Sequence, residues 1–208
     1  MSFLSRLFGS RSTEGDAQDL DARLARLERE ADTAPPGYVG TSYNKAGDLA
    51  LRGGADDRAA AYYGRAIDAF LEDGQREAAR GVANKIIRVR PDAVRTLCTL
   101  TWLDLAAQHH ATALLHLRDY VEAAKAVDRH SLAADQVYQM ARLVPDGEFI
   151  EACADALDGL DLPRKAEKVR AWLGSGRSPD ALTDSDELAR ACLRAAVMSN
   201  QGGAGARE

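Results

Sequence analysis

The stretch AYYGRAIDAFLEDGQREAARGVANKIIRVRPDA, residues 61–93, decides the fold. Tyr63, Ala66 and Phe70 recur three and four residues apart, the spacing of one buried face on a helix. Asp73-Gly74 supplies a turn, and Ala79, Ala83 and Ile86 resume the same spacing until Pro91-Asp92 stops it. Two helices joined by so short a turn must fold back on each other as an antiparallel hairpin. Ala79 is small where the helices cross, which lets their axes approach to about 8–10 Å while larger residues fill the flanks.

Outward from this hairpin the pattern repeats. Between Tyr43 and Leu173 helix centres recur about every 17 residues, so two helices make a unit of about 34. Helices are expected over about 41–52, 57–72, 75–90, 93–108, 111–128, 131–143, 148–157 and 163–173. Gly53-Gly54, Asp73-Gly74, Pro91-Asp92, His109-His110, Pro145-Asp146-Gly147 and Asp158-Gly159 punctuate them. No stretch alternates with period two for the length of a strand. The expected fold class is all-α, a solenoid of antiparallel helix hairpins over 38–174. A hairpin of this kind cannot bury its apolar face alone, so neighbours stack and leave an extended binding surface.

Flanking segments differ in character. Residues 1–18 form an N-terminal amphipathic segment and a polar linker. Phe3, Leu4, Leu7 and Phe8 share one helical face there, and Arg6 and Arg11 carry positive charge. This face fits an interfacial membrane anchor, a docking peptide or a tail folded on the body. A helix over 19–31 repeats Leu20, Leu24, Leu27 and Ala31 like a short coiled-coil seam, before Pro35-Pro36-Gly37 ends it. Such a seam suits packing against the solenoid or one edge of a dimer. Residues 175–200 read as a Ser/Asp-rich loop and a last helix, and 201–208 as a disordered tail.

The 208 residues include 46% hydrophobic and 28% charged residues, an ordinary globular balance. Only 6% are aromatic, which suits small-residue helix packing better than sheets. A net charge of −5 leaves no global basic surface for nucleic acid. Cys98, Cys153 and Cys192 are few, distant and odd in number, which fits buried free thiols in a cytoplasmic protein. No run reaches the ~18 apolar residues of a spanning helix. Localisation is therefore expected to be cytoplasmic, or peripheral to the inner membrane if residues 1–11 act as an anchor.

Residues 60–93 resemble a tetratricopeptide repeat. Counted from Ala60, Tyr63 takes the large fourth position, Ala66 the seventh, Phe70 the aromatic eleventh and Gly74 the turn glycine. Ala79 takes the small crossing position and Pro91 the terminal proline, whereas Ala83 and Ile86 depart from the pattern. A second register, through Tyr43, Gly47, Gly54, Ala59, Tyr63 and Ala66, fits the same template one helix earlier. Residues 94–127 match more loosely, with Asp104 where an aromatic belongs, and from 131 only the helix spacing is kept. The resemblance implies stacked hairpins that bind a partner peptide or helix on a concave face. The Lys and Asn clamp by which some family members hold a terminal carboxylate is absent, because Gly64, Asp68, Cys98 and Trp102 stand at its positions.

No pattern points to catalysis, a cofactor or a metal. Histidines 109, 110, 116 and 130 include no i, i+4 pair, and neither a glycine-rich phosphate loop after a strand nor a GxSxG elbow occurs. Charge is uneven. Residues 76–95 carry net +4 and residues 144–162 net −6, as solvated faces or as a bipolar surface that orients a partner or stacks copies head to tail. Lys85, Arg88 and Arg95 flank the Pro91 turn as an anion-binding rim. Trp102, near Arg95 and Leu105, lies either in the groove or in the core. The expected function is non-enzymatic protein binding, as a bacterial-type adaptor docking its partner around Trp102. The alternatives are a structural protein tethered through residues 1–11 and a secretion-type chaperone.

Overall fold

Five helices end in the same turn. At Gly54, Gly74, Gln108, Asp128 and Asp161 the backbone takes φ of 72°, 70°, 57°, 56° and 62°. The N–H of the following residue then bonds back to the carbonyl five positions before it, at 2.7–3.0 Å (Ala55 to Ala50, Gln75 to Phe70, His109 to Asp104, Arg129 to Ala124, Leu162 to Leu157). This closure satisfies carbonyls that a helix end leaves without partners and turns the chain sharply enough to start the next helix at once.

Ten α-helices occur among the residues described by this computed structural model, which are 5–174, 178 and 180–201 (side chains 17–174, 178 and 180–199). They are α1 Ser5–Thr33, α2 Val39–Arg52, α3 Asp56–Glu72, α4 Arg76–Val89, α5 Val94–Ala106, α6 His110–Ala126, α7 His130–Leu143, α8 Gly147–Gly159, α9 Pro163–Gly174 and α10 Ser185–Gln201. No strand occurs among the described residues. The fold is all-α, and helix starts from α2 to α9 keep the spacing read from the sequence. Residues 12–18, expected as a linker, continue α1; no proline interrupts the chain before Pro35. Asp184 caps α10, accepting from the Glu187 N–H at 2.8 Å. Residues 202–208 of the expected tail lie outside the described residues.

The chain divides into two compact units, Met1–Val89 and Arg90–Glu208. In the first, α1 packs on α2, α2 on α3 and α3 on α4. Alanines 46, 50, 59, 66, 79 and 83 are buried between them, so backbones approach closely. Gly40 faces the Phe70 ring and Gly47 the Tyr63 ring. Each pair steps seven residues along its helix, in opposite directions, so α2 and α3 run antiparallel. The Leu24 seam of α1 is used within the chain, with Leu24 and Ala31 buried and Leu20 against Gly53. Exposed pairs Arg58–Asp21 (2.5 Å) and Arg65–Glu28 (3.2 Å) tie α1 to α3, each worth about 1 kcal/mol or less.

In the second unit every residue of α5 from Thr96 to Ala106 is buried. A helix buried all round belongs at the centre of a packed body, and α5 packs on α6 and equally on α10. Helices α8 and α9 form a hairpin, with α7 against α8. Asp146 starts α8 by accepting from the Phe149 N–H at 2.8 Å. The segment leading to α10 is fastened to the end of α7. Ser178 Oγ donates to the Arg142 carbonyl (2.6 Å), Arg142 pairs with Asp180, and the Leu182 N–H donates to the Leu143 carbonyl (3.0 Å).

Candidate functional site

A cleft of about 130 Å³ opens in the second unit where four helices converge. Helix α5 contributes Val94, Arg95 and Cys98, α6 contributes Tyr120, and the α6–α7 turn contributes Arg129. Leu132 and Gln136, one turn apart on α7, form another wall, and Met198 and Ser199 of α10 close the cleft. Leu132 and Met198 are 55% and 72% exposed, so apolar surface reaches the solvent at its rim. The two charged groups lining the cleft are both guanidinium groups.

Its floor is fixed and neutral. Gln136 Oε1 accepts from Trp102 Nε1 at 2.9 Å and lies 3.8 Å from Cys98 Sγ, which ties α7 to α5. Burial pushes the Cys98 thiol up to about 12, although hydrogen bonds with Tyr120, Ser199 and Trp102 oppose the shift. Burial and the adjoining Cys98 also push the Tyr120 phenol up. Neither group adds negative charge near neutral pH, so the cleft keeps the sign of its arginines. A thiol held protonated is a poor nucleophile.

Placement of the expected binding residues is mixed. Arg95 lines the cleft, half-buried. Trp102 and Leu105 are 0% and 1% exposed and are core residues. The groove-facing alternative for Trp102 is thereby corrected: α5 lies between α6 and α10, and its indole N–H is spent on Gln136. Lys85 and Arg88 belong to the first unit. Lys85 Nζ donates to Asp48 Oδ1 (2.6 Å) and Asn44 Oδ1 (2.9 Å) and lies 5.3 Å from the Tyr63 ring centroid. It knots α2, α3 and α4 together. Arg88 is exposed in the last turn of α4, where a cation suits the helix C-terminus. Phe3 and Leu4 lie outside the described residues. Leu7 and Phe8 lie on α1 with side chains outside them.

Arg129, Leu132, Gln136 and Met198 completed the cleft without a sequence signal, since no periodicity relates a turn residue, α7 and α10. The acidic run 144–162 is partly consumed internally: Arg170 of α9 pairs with Asp155 and Asp158, each at 2.6 Å, and Asp146 caps α8. His116 Nδ1 lies 2.6 Å from buried Asp104 Oδ2, a polar link between α5 and α6. Among the described residues no group of three His, Cys, Asp or Glu side chains is placed to hold a metal ion. Likewise, no helix among them is long and apolar enough to cross a membrane.

These features define an all-α protein of packed helical hairpins with a basic, apolar-walled cleft. No protein-family model matches the chain, no curated protein matches it, and no solved structure matches it. The tetratricopeptide resemblance accordingly rests on the residues quoted for it.

Proposed function

We propose that this chain is a non-enzymatic protein-interaction module of tetratricopeptide-like hairpins, an adaptor or complex subunit working in the cytoplasm. The second unit would engage a segment of a partner protein at the cleft. One observation carries the reading: Leu132 and Met198 stand exposed at the rim of a cleft whose charged lining is Arg95 and Arg129. Apolar anchors beside arginine are the composition of protein interfaces, where a few such residues supply most of the binding energy. The three free, buried thiols suit a reducing compartment.

The test compares the wild-type chain with a Leu132→Asp, Met198→Asp variant as bait in extract of the source cell. Both substitutions fall on exposed side chains, so helicity should be retained. A discrete partner captured by the wild type and lost by the variant supports the reading. Equal capture by both chains, or none by either, overturns it.

A further inference from the structure

We propose that residues 3–11 of one copy of this chain dock, as an amphipathic helix, in the groove between α6 and α8 of a second copy. The groove shares no lining residue with the cleft described above, so the inference stands apart from the partner reading.

Helix α1 carries the occupant. Leu20 packs against Gly53, the residue after the end of α2, so α2 covers α1 about as far as Leu20. From there α1 runs back to Ser5, about 15 residues or ~22 Å of helix. At about 100° per residue, positions 20, 24, 27 and 31 centre on one side of α1, and positions 7 and 8 stand about 130° from that seam on either hand. Phe3 and Leu4 continue the spacing of Leu7 and Phe8 in the sequence. An apolar face on that side cannot reach α2 while α1 stays one helix.

The groove has the matching shape. Helices α6 and α8 start side by side, with His110 Nδ1 3.9 Å from Asp146 Oδ2, and about 430 Å³ lies open between them. Leu114, Leu115 and Val121 form the α6 wall, and Ala152, Ala156 and Gly159 the α8 wall. Leu115 is 55% exposed. Small residues along α8 let a third helix approach closely, and the leucines give it apolar contact. The stretches 114–122 and 152–159 each present about two turns, ~10–12 Å, against ~8 Å for residues 3–8.

Charge selects this segment. Residues 1–13 hold Arg6 and Arg11 and no acid. Helix α8 holds Glu148, Glu151, Asp155 and Asp158 and no base. Arg170 pairs with Asp155 and Asp158, one guanidinium against four carboxylates, so the wall stays negative. Glu148 stands one turn before Ala152 and Glu151 one turn before Asp155, both exposed. The α6 cations are offset locally, Arg118 by Asp119 at 3.6 Å and Lys125 by Glu122 at 3.0 Å. An apolar face flanked by two arginines therefore complements this groove in both shape and sign. Each copy offers one segment and one groove, so the contact is head-to-tail.

The test separates the two halves of the contact. Sedimentation of the full chain is followed from about 10 μM to about 1 mM, because two turns of helix suit a Kd on the order of 100 μM. The segment variant is Leu7→Asp, Phe8→Asp. The groove variant is Leu115→Arg, Glu151→Arg, both on exposed side chains, and unchanged helicity is checked for each. The wild-type mass should rise with concentration, while each variant alone stays monomeric. An equimolar mixture of the two should form a one-to-one dimer, because one member keeps the segment and the other the groove. Arg6→Glu with Arg11→Glu should weaken association at least tenfold. A wild type that stays monomeric, a groove variant that associates as the wild type does, or a mixture that remains monomeric would overturn the inference. A monomeric wild type that pellets with phosphatidylserine vesicles would assign the segment to a membrane instead. Leu132→Asp, Met198→Asp should leave the mass profile unchanged, which keeps this outcome separate from that of partner capture.

Discussion

Tyr63 lies against Gly47 so closely that a Cβ on residue 47 would stand 2.5 Å from the ring. The ring has nowhere to go. It is fully buried, and its hydroxyl donates to Asp48 Oδ1 at 2.7 Å. Gly47→Ala should therefore cost about 2–3 kcal/mol, the upper part of the range for overpacking a core. Gly64, midway along α3, has no atom within 4 Å of where an alanine methyl would stand, so Gly64→Ala should gain about 0.5–1 kcal/mol through helix propensity. Urea midpoints of the two variants should move in opposite directions. A Gly47→Ala chain as stable as wild type would show that α2 and α3 do not pack this closely.

The shared helix-end turn predicts a second contrast. Gln108 and Asp128 hold positive φ with side chains that disfavour it, whereas Gly54 and Gly74 occupy the same place at no steric cost. Gln108→Gly and Asp128→Gly should each stabilise the chain by about 1 kcal/mol, and Gly54→Ala and Gly74→Ala should destabilise it by a similar amount. Thermal unfolding of the four variants checks the set, and a fall in stability for both glycine replacements would refute it.

Glycine and proline made the first unit readable. Gly54 and Gly74 mark its turns and Pro91 follows its last helix, and Tyr63, Ala66, Phe70 and Ala79 keep their spacing because each packs against a neighbour close in sequence. In the second unit the turn geometry persists while its signal fades, since Gln108 and Asp128 hold the conformation that glycine marks elsewhere. The site was less legible for a different reason. Whether Trp102 faces a groove or a core depends on what covers α5, and the covering helix, α10, begins about 80 residues downstream of it. Spacing along α5 carries no record of that partner. Arg95 was recoverable because it is a cation at a helix start, whereas Arg129 and Met198 join it only through tertiary packing.

The Lys85 knot predicts a pH dependence. Burial acts to raise the Asp48 carboxyl, but hydrogen bonds from Lys85 and Tyr63, with the charges of Lys85 and Arg52, prevail and hold it below its ordinary value of 3.8. A carboxyl lowered in the folded state binds a proton more readily once unfolded. Its contribution is therefore complete above about pH 4 and is lost as pH falls through the lower folded value. Asp48 is 38% exposed, so solvent screens the gain. Asp48→Asn should lower stability at pH 7 and flatten the loss of stability between about pH 4 and pH 2. Parallel acid profiles of the two chains would assign the acid sensitivity to other carboxyls.

The three cysteines should be silent in the folded chain. Cys98, Cys153 and Cys192 are buried free thiols. Burial pushes Cys98 and Cys192 up to about 12 and raises Cys153 as well. At pH 8 a thiol at that value is ionised in roughly one molecule in ten thousand, against roughly one in four for an ordinary cysteine. Iodoacetamide should then label the native protein only as fast as it unfolds, and all three sites at once in denaturant. Cys98 is the sharpest case, because hydrogen bonds with Tyr120, Ser199 and Trp102 favour a thiolate while burial opposes it. Fast labelling of Cys98 alone in the native chain would mean that these hydrogen bonds prevail over burial, and that the cleft floor is open enough to hold a thiolate.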